Sequence, residues 1–185
     1  VSRATFGLRV SGKRDVAEDF KLGYEAEYAH QNDYADNPAN FDLNYWHADL
    51  SLTHGEFSIL GGVESLEGDG TTGFSTPLAT LHKFQGYADV FLTTPANGIV
   101  DVYGKLGYET KFKEPVGPIT GVSAAIWYHD FDAERGSASL GDEVDIEALA
   151  RLGEHFAIGA KYADYEGVPG FASRNRTWLY LDVTY

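Results

Sequence analysis

The sequence predicts an all-β chain, an antiparallel up-and-down β-barrel that crosses a membrane with its strands. Three observations carry that prediction. Apolar residues recur with period two along most of the chain. The alternating segments run to about ten residues, the length a tilted membrane-crossing strand needs. They are joined alternately by short and by long polar connections, the layout of a barrel with tight turns on one side of the membrane and long loops on the other.

The segments follow in order. Phe6, Leu8 and Val10 alternate with Thr5, Gly7 and Arg9. Phe20, Leu22, Tyr24, Ala26 and Tyr28 alternate with Lys21, Gly23, Glu25 and Glu27. Trp46, Ala48, Leu50 and Leu52 oppose Tyr45, His47, Asp49 and Ser51. Phe57, Ile59, Gly61 and Val63 oppose Ser58, Leu60, Gly62 and Glu64. Val100, Val102, Gly104, Leu106 and Tyr108 oppose Asp101, Tyr103, Lys105 and Gly107. Val122, Ala124, Ile126 and Tyr128 oppose Ser123, Ala125, Trp127 and His129. Val144, Ile146, Ala148, Ala150 and Leu152 oppose Asp145, Glu147, Leu149 and Arg151. Phe156, Ile158, Ala160 and Tyr162 oppose Ala157, Gly159, Lys161 and Ala163. The closing "TWLYLDVTY" puts Leu179, Leu181, Val183 and Tyr185 on one face and Trp178, Tyr180, Asp182 and Thr184 on the other.

Short joins are expected at 12–18, 53–55, 109–118 and 153–155, and long ones at 30–42, 65–98, 130–143 and 164–176. No linker divides the chain, so 1–185 reads as one transmembrane β-barrel domain or the C-terminal portion of one. Bacterial single-chain barrels have an even strand number and both termini on the periplasmic side. Nine segments break that parity, and the reading favoured here is that an N-terminal portion is missing.

A soluble barrel would turn the same apolar face inward, so polarity alone leaves both orientations open. The aromatic residues favour lipid. Phe20, Phe57, Tyr108, Phe156 and Tyr185 fall at the short-turn end of the apolar face, and Tyr28, Trp46, Tyr128 and Tyr162 at the long-loop end. Two aromatic rings around an aliphatic band suit headgroups on either side of acyl chains.

Composition narrows the function. Asp and Glu number 28 against 14 Lys and Arg, giving a formal net charge of −14, which argues against a nucleic-acid partner. There is no cysteine, which removes disulfides, thiolate metal sites and cysteine nucleophiles. No G-x-S-x-G, H-E-x-x-H or Walker motif occurs. The 130–143 stretch is acidic, but Arg135 stands where an EF-hand loop needs glycine and Gly141 where it needs glutamate. His129 beside Asp130 is a weak barrel-wall hydrolase candidate. The expectation is no enzyme, no cofactor and no metal.

The stretches "YEAEYAHQNDYADNP" (24–38), "YWHADLSL" (45–52), "EGDGTTGFSTPLATLHKFQGYADVFLTTPANG" (67–98), "YHDF" (128–131) and "KYADY" (161–165) together resemble the C-terminal half of bacterial alginate-export-type outer-membrane porins. The resemblance covers nearly the whole chain and implies a larger outer-membrane barrel conducting hydrophilic solutes. Its partners would be membrane lipid and a small hydrophilic solute, with sugar acids or oligosaccharides among the candidates.

The residues expected to line the pore are Arg9, Lys21, Glu25, Glu27, Asp49, Glu64, Asp101, Lys105, Asp145, Glu147, Arg151, Lys161 and Asp182. With Arg3 included, eight acids face six bases, which departs from the basic lumen a polyuronate channel calls for. The 65–98 connection has two readings, an inward fold that narrows the pore or a solvated outer loop. An inward fold would make Thr76, His82 and Lys83 constriction residues. The chief alternative to a pore is a small closed barrel with a structural or adhesive role, its lumen filled by residues such as Trp127, Tyr103 and Leu149.

Overall fold

A computed structural model describes residues 2–76 and 85–184. They form nine antiparallel strands: β1 (Arg3–Ala17), β2 (Phe20–Asp33), β3 (Asp42–His54), β4 (Phe57–Leu66), β5 (Ile99–Val116), β6 (Ile119–Asp132), β7 (Ser139–Leu152), β8 (Phe156–Glu166) and β9 (Arg174–Val183). Each strand pairs with the next in a single meander. No helix is long and apolar enough to cross a membrane, which leaves crossing by strands untouched.

The nine expected segments are these nine strands. No additional strand lies between β4 and β5 among the described residues. The nine-stranded sheet is not closed. No pairing joins β9 to β1, so both leave an unpaired edge among the described residues.

The connections also differ from the sequence reading. The expected join 109–118 is strand for most of its length, because β5 continues to Val116 and turns at 117–118. Glu109, Lys111, Lys113 and Glu114 are exposed there. A strand wet on both faces loses the apolar alternation that marks a half-buried one. The segment 12–18 is likewise mostly strand, turning at 18–19. The turns carry Asp19 (φ 62°), Gly55 (φ 56°), Gly117 (φ 61°) and Gly153 (φ 64°), left-handed positions open to Gly and, at modest cost, to Asp. At the other end three connections shrink to 34–41, 133–138 and 167–173, and only 67–98 is long.

Register decides the faces. Leu50 lies between Tyr24 and Gly61, and Leu106 between Ile59 and Ile126, so aliphatic residues form continuous rows on one surface. That surface is exposed: Leu8 is 72 % accessible and Leu179 82 %. The other surface is inverted, with Glu143 and Asp145 at 0 %. The rings at the ends of the apolar surface align in register. Tyr28 lies opposite Trp46, and Phe57 packs on Tyr108 with centroids 5.0 Å apart. Tyr185 lies outside the described residues.

A dry core cannot form between strands whose inner face is charged, so it forms at the loop end. Phe41, Leu43, Tyr45, Leu66, Phe74, Phe91, Ile99, Phe131 and Tyr165 are buried together. The Phe91 ring meets Phe131 at 4.9 Å, Phe171 at 5.5 Å and Tyr165 at 5.9 Å. The 67–98 connection touches both sides of the sheet. Arg3 on β1 donates to the Gly73 carbonyl, while Arg174 on β9 donates to the carbonyls of Ala88 and Asp89. Arg3 and Phe171, from opposite flanks, border one cavity with it. The sheet therefore curls round this connection, polar face inward.

Phe131→Ala should remove the hub of this aromatic core and destabilise the fold by about 3–5 kcal/mol, read by denaturant unfolding of the folded protein. A loss below about 1 kcal/mol would show that the loop-end core is not needed.

Candidate functional site

The concave face gathers most of the charged residues expected from the sequence into three adjoining cavities. The first, about 380 Å³, is bordered by Arg9, Glu25, Glu27, Asp49, Glu64 and Asp101. Towards the turns follows one of about 370 Å³ that shares Glu25, Asp49 and Leu60 with it and adds Lys13 and Ser51. The last, about 590 Å³, contains Lys13, Lys21 and Lys105 with Glu56, Glu109 and Glu147, among serines, glycines and Thr53. Shared walls make the three a continuous polar path along the sheet. Its loop end is acidic, and its turn end mixes three lysines with three glutamates.

Alternation puts these side chains on one face, and cross-strand pairing sets their partners. Arg9 pairs with Glu25 at 2.5 Å and Lys161 with Glu147 at 3.4 Å. Arg151 pairs with Glu109 at 2.9 Å, near the turns. Glu64 accepts from the Tyr45 hydroxyl at 2.8 Å and from Gln85. Asp101 holds His129 Nδ1 at 2.9 Å. Asp182, by contrast, is exposed on the open-edge strand β9 and borders none of these cavities.

Rings line the same wall, of which His47 and Tyr87 stood outside the site residues expected from the sequence. His47 Nε2 lies 2.7 Å from the Tyr103 hydroxyl, Tyr103 packs at 6.1 Å from Trp127 and at 5.6 Å from His129, and His129 stacks on Phe131 at 5.6 Å. Lys105 Nζ sits 4.5 Å from the Trp127 ring centroid and Lys161 Nζ 4.5 Å from that of Tyr87, cation–π geometry. Tyr103 lies across Gly62, its register partner on β4. A Cβ at Gly62 would come within 2.5 Å of the phenol ring, so the glycine makes room for it. Tyr103 and Trp127 do occupy the inner face, as the closed-barrel alternative requires, yet the cavities beside them stay open.

The described parts of the 67–98 connection fold inward. Ser75 and Gln31 exchange two hydrogen bonds of 2.9 Å. Beyond residues 77–84, the Tyr87 N–H donates to Asp145 at 2.9 Å, and the Ala88 N–H to Glu143 at 2.6 Å. The Tyr87 hydroxyl reaches Glu147 at 3.2 Å, and Arg176 clamps Asp89 at 2.7 Å. Gly86 (φ 78°) passes directly over Glu143, where a Cβ would stand 2.5 Å from the carboxylate. Gln85 and Tyr87 thus narrow the path at mid-face. Thr76 instead borders the separate loop-end cavity of about 610 Å³. His82 and Lys83 lie outside the described residues. Asp145 therefore serves chiefly as an anchor for the loop rather than as an open wall residue.

Two further chemistries can be read at the site. Glu25, His47 and Asp49 offer one ligand atom each, all within 4.8 Å of one another. His129 faces carboxylates, Asp101 at 2.9 Å and Asp145 at 3.8 Å, and no hydroxyl nucleophile is bonded to it among the described residues. In comparison with known proteins, no family model matches this chain, and no curated protein or solved structure matches it.

Replacing Glu143 and Asp145 by alanine should release the loop. Each charge-assisted bond is worth about 1.5–3 kcal/mol, so the Tyr87 and Ala88 amides should exchange hydrogen roughly 10- to 100-fold faster while β6 amides keep their protection. Unchanged exchange would show that the carboxylates do not hold it. A second expectation concerns Asp69, whose carboxylate is held below its ordinary range by the N–H groups of Thr72 and Thr71, each at 2.7 Å. A depressed folded value stabilises above the unfolded one and is lost as pH falls through the folded one. The Thr71 and Thr72 amide resonances should therefore shift together below about pH 3.9, and shifts at neutral pH would contradict the cap.

Proposed function

We propose that the chain is wall and constriction of a bacterial outer-membrane β-barrel pore that passes small hydrophilic solutes by diffusion. One observation carries the reading, the inversion of the sheet. Aliphatic residues from all nine strands are exposed on the convex surface, while carboxylates and imidazoles on the concave surface are buried or half-buried. Water rewards the opposite arrangement, whereas a bilayer around a wet lumen rewards this one. Phe20 and Tyr28 are eight residues apart on β2, roughly 27 Å along a strand, which, tilted, spans a hydrocarbon core of about 25 Å or somewhat less.

The unpaired edges of β1 and β9 support a larger barrel. Open edges in lipid leave N–H and C=O groups without partners at several kcal/mol each, so further strands complete the wall between β9 and β1. More strands widen the lumen from a packed interior towards a channel. The continuous polar path beneath Gln85 and Tyr87 supports a narrowed rather than sealed conduit. A second reading, a plugged structural barrel, draws on Tyr103, Trp127 and the inward loop.

Conductance of the native protein, extracted in detergent and inserted in a planar bilayer, separates the two. The pore reading expects steady open steps. Silence from protein verified as folded and inserted would overturn it in favour of the plugged barrel.

A further inference from the structure

The lysines along the polar path gather at its turn end, while its other end is acidic, and this placement bears on what passes. Resting on the pore reading above, we propose that the path recognises small zwitterions carrying both an ammonium and a carboxylate, of amino-acid to dipeptide size. The acidic cavity of about 380 Å³ supplies the ammonium site. Glu25, Glu27 and Asp49 face it, and Arg9, the one lysine or arginine lining it among the described residues, is already paired with Glu25. Glu27 has no hydrogen-bond or ion-pair partner among the described residues. The ring faces beside it suit an ammonium, because Trp127 already carries Lys105 Nζ at 4.5 Å on its ring.

The carboxylate site lies one step towards the turns. Lys13 is paired in register with Gly23, two residues from Glu25, and Lys21 is four residues from Glu25 on the same strand face. These offsets are roughly 7 and 14 Å along the strand. The termini of an extended dipeptide lie about 7 Å apart, so one molecule can meet an acid and a lysine together. Both lysines border the turn-end cavity together with Lys105, Glu56, Glu109 and Glu147, and two of those three acids are already taken, Glu109 by Arg151 and Glu147 by Lys161. A plain anion meets the acidic corner first, and a neutral sugar uses neither charged site.

The test is osmotic swelling of liposomes containing the native protein, in isosmotic glycylglycine, arabinose and sodium gluconate. Paired half-exposed charges are worth up to about 1 kcal/mol, so glycylglycine should enter about three- to five-fold faster than arabinose, with gluconate slowest. In Glu27→Gln with Lys21→Gln the glycylglycine-to-arabinose ratio should fall towards one. Equal rates for glycylglycine and arabinose in the native protein would overturn the zwitterion assignment and leave the pore standing. No entry of any solute through folded, inserted protein would overturn the pore itself.

Discussion

Register is the constraint on which everything else in this molecule depends. Side chains alternate with period two, so a one-residue slip between any two strands carries a whole set of charges onto the apolar surface. The observed pairings keep Ala26 beside Ala48 and Glu25 beside Asp49 through the same stretch. They also bring acids together across strands, as with Glu25 and Asp49, and this repulsion is tolerated because Arg9 and His47 lie among them. A register that is costly on one face and required on the other is held by the face with more to lose, the aliphatic one.

The inversion of faces then dictates where stability comes from. A sheet with a charged interior cannot bury apolar surface between its walls, so the dry core migrates to the loop end, around Phe91, Phe131 and Tyr165. The connection that completes this core also carries Gln85 and Tyr87 down onto the polar path. Packing and narrowing are consequently one structure. The hydrophobic contacts of Phe91 hold the segment above, and the carboxylates of Glu143 and Asp145 hold its backbone below.

The strands were legible because each carries its own signal. Phe6, Leu8 and Val10, or Val144, Ile146 and Ala148, announce a half-apolar strand without reference to any neighbour. Strand ends were less legible: 109–116 reads as loop because its strand state is stabilised only by pairing with β6, not by burial of one face. The polar face was legible as a set, since parity alone places Arg9, Glu25, Asp49 and Asp101 together. The constriction was not. Gln85 and Tyr87 meet Glu64, Asp145 and Glu147 across separations of 21, 58 and 60 residues, and no local pattern encodes such contacts. The ring ladder from His47 to Phe131 was hidden likewise, because aromatic residues at odd positions look the same whether stacked or scattered. Closure could not be read from alternation either, which says that an edge exists but not what it meets.

The central claim is that the aliphatic surface meets lipid and the charged surface meets water. The chain contains no cysteine, so single cysteines can be placed one at a time along β3, from 46 to 51, and spin-labelled in the native protein folded into bilayers. Collision with oxygen, which concentrates in acyl chains, and with a polar nickel chelate, which stays in water, reports the surroundings of each label. The account requires labels at 46, 48 and 50 to meet oxygen and those at 47, 49 and 51 to meet the chelate. The reverse alternation, or chelate access at every position, would contradict it.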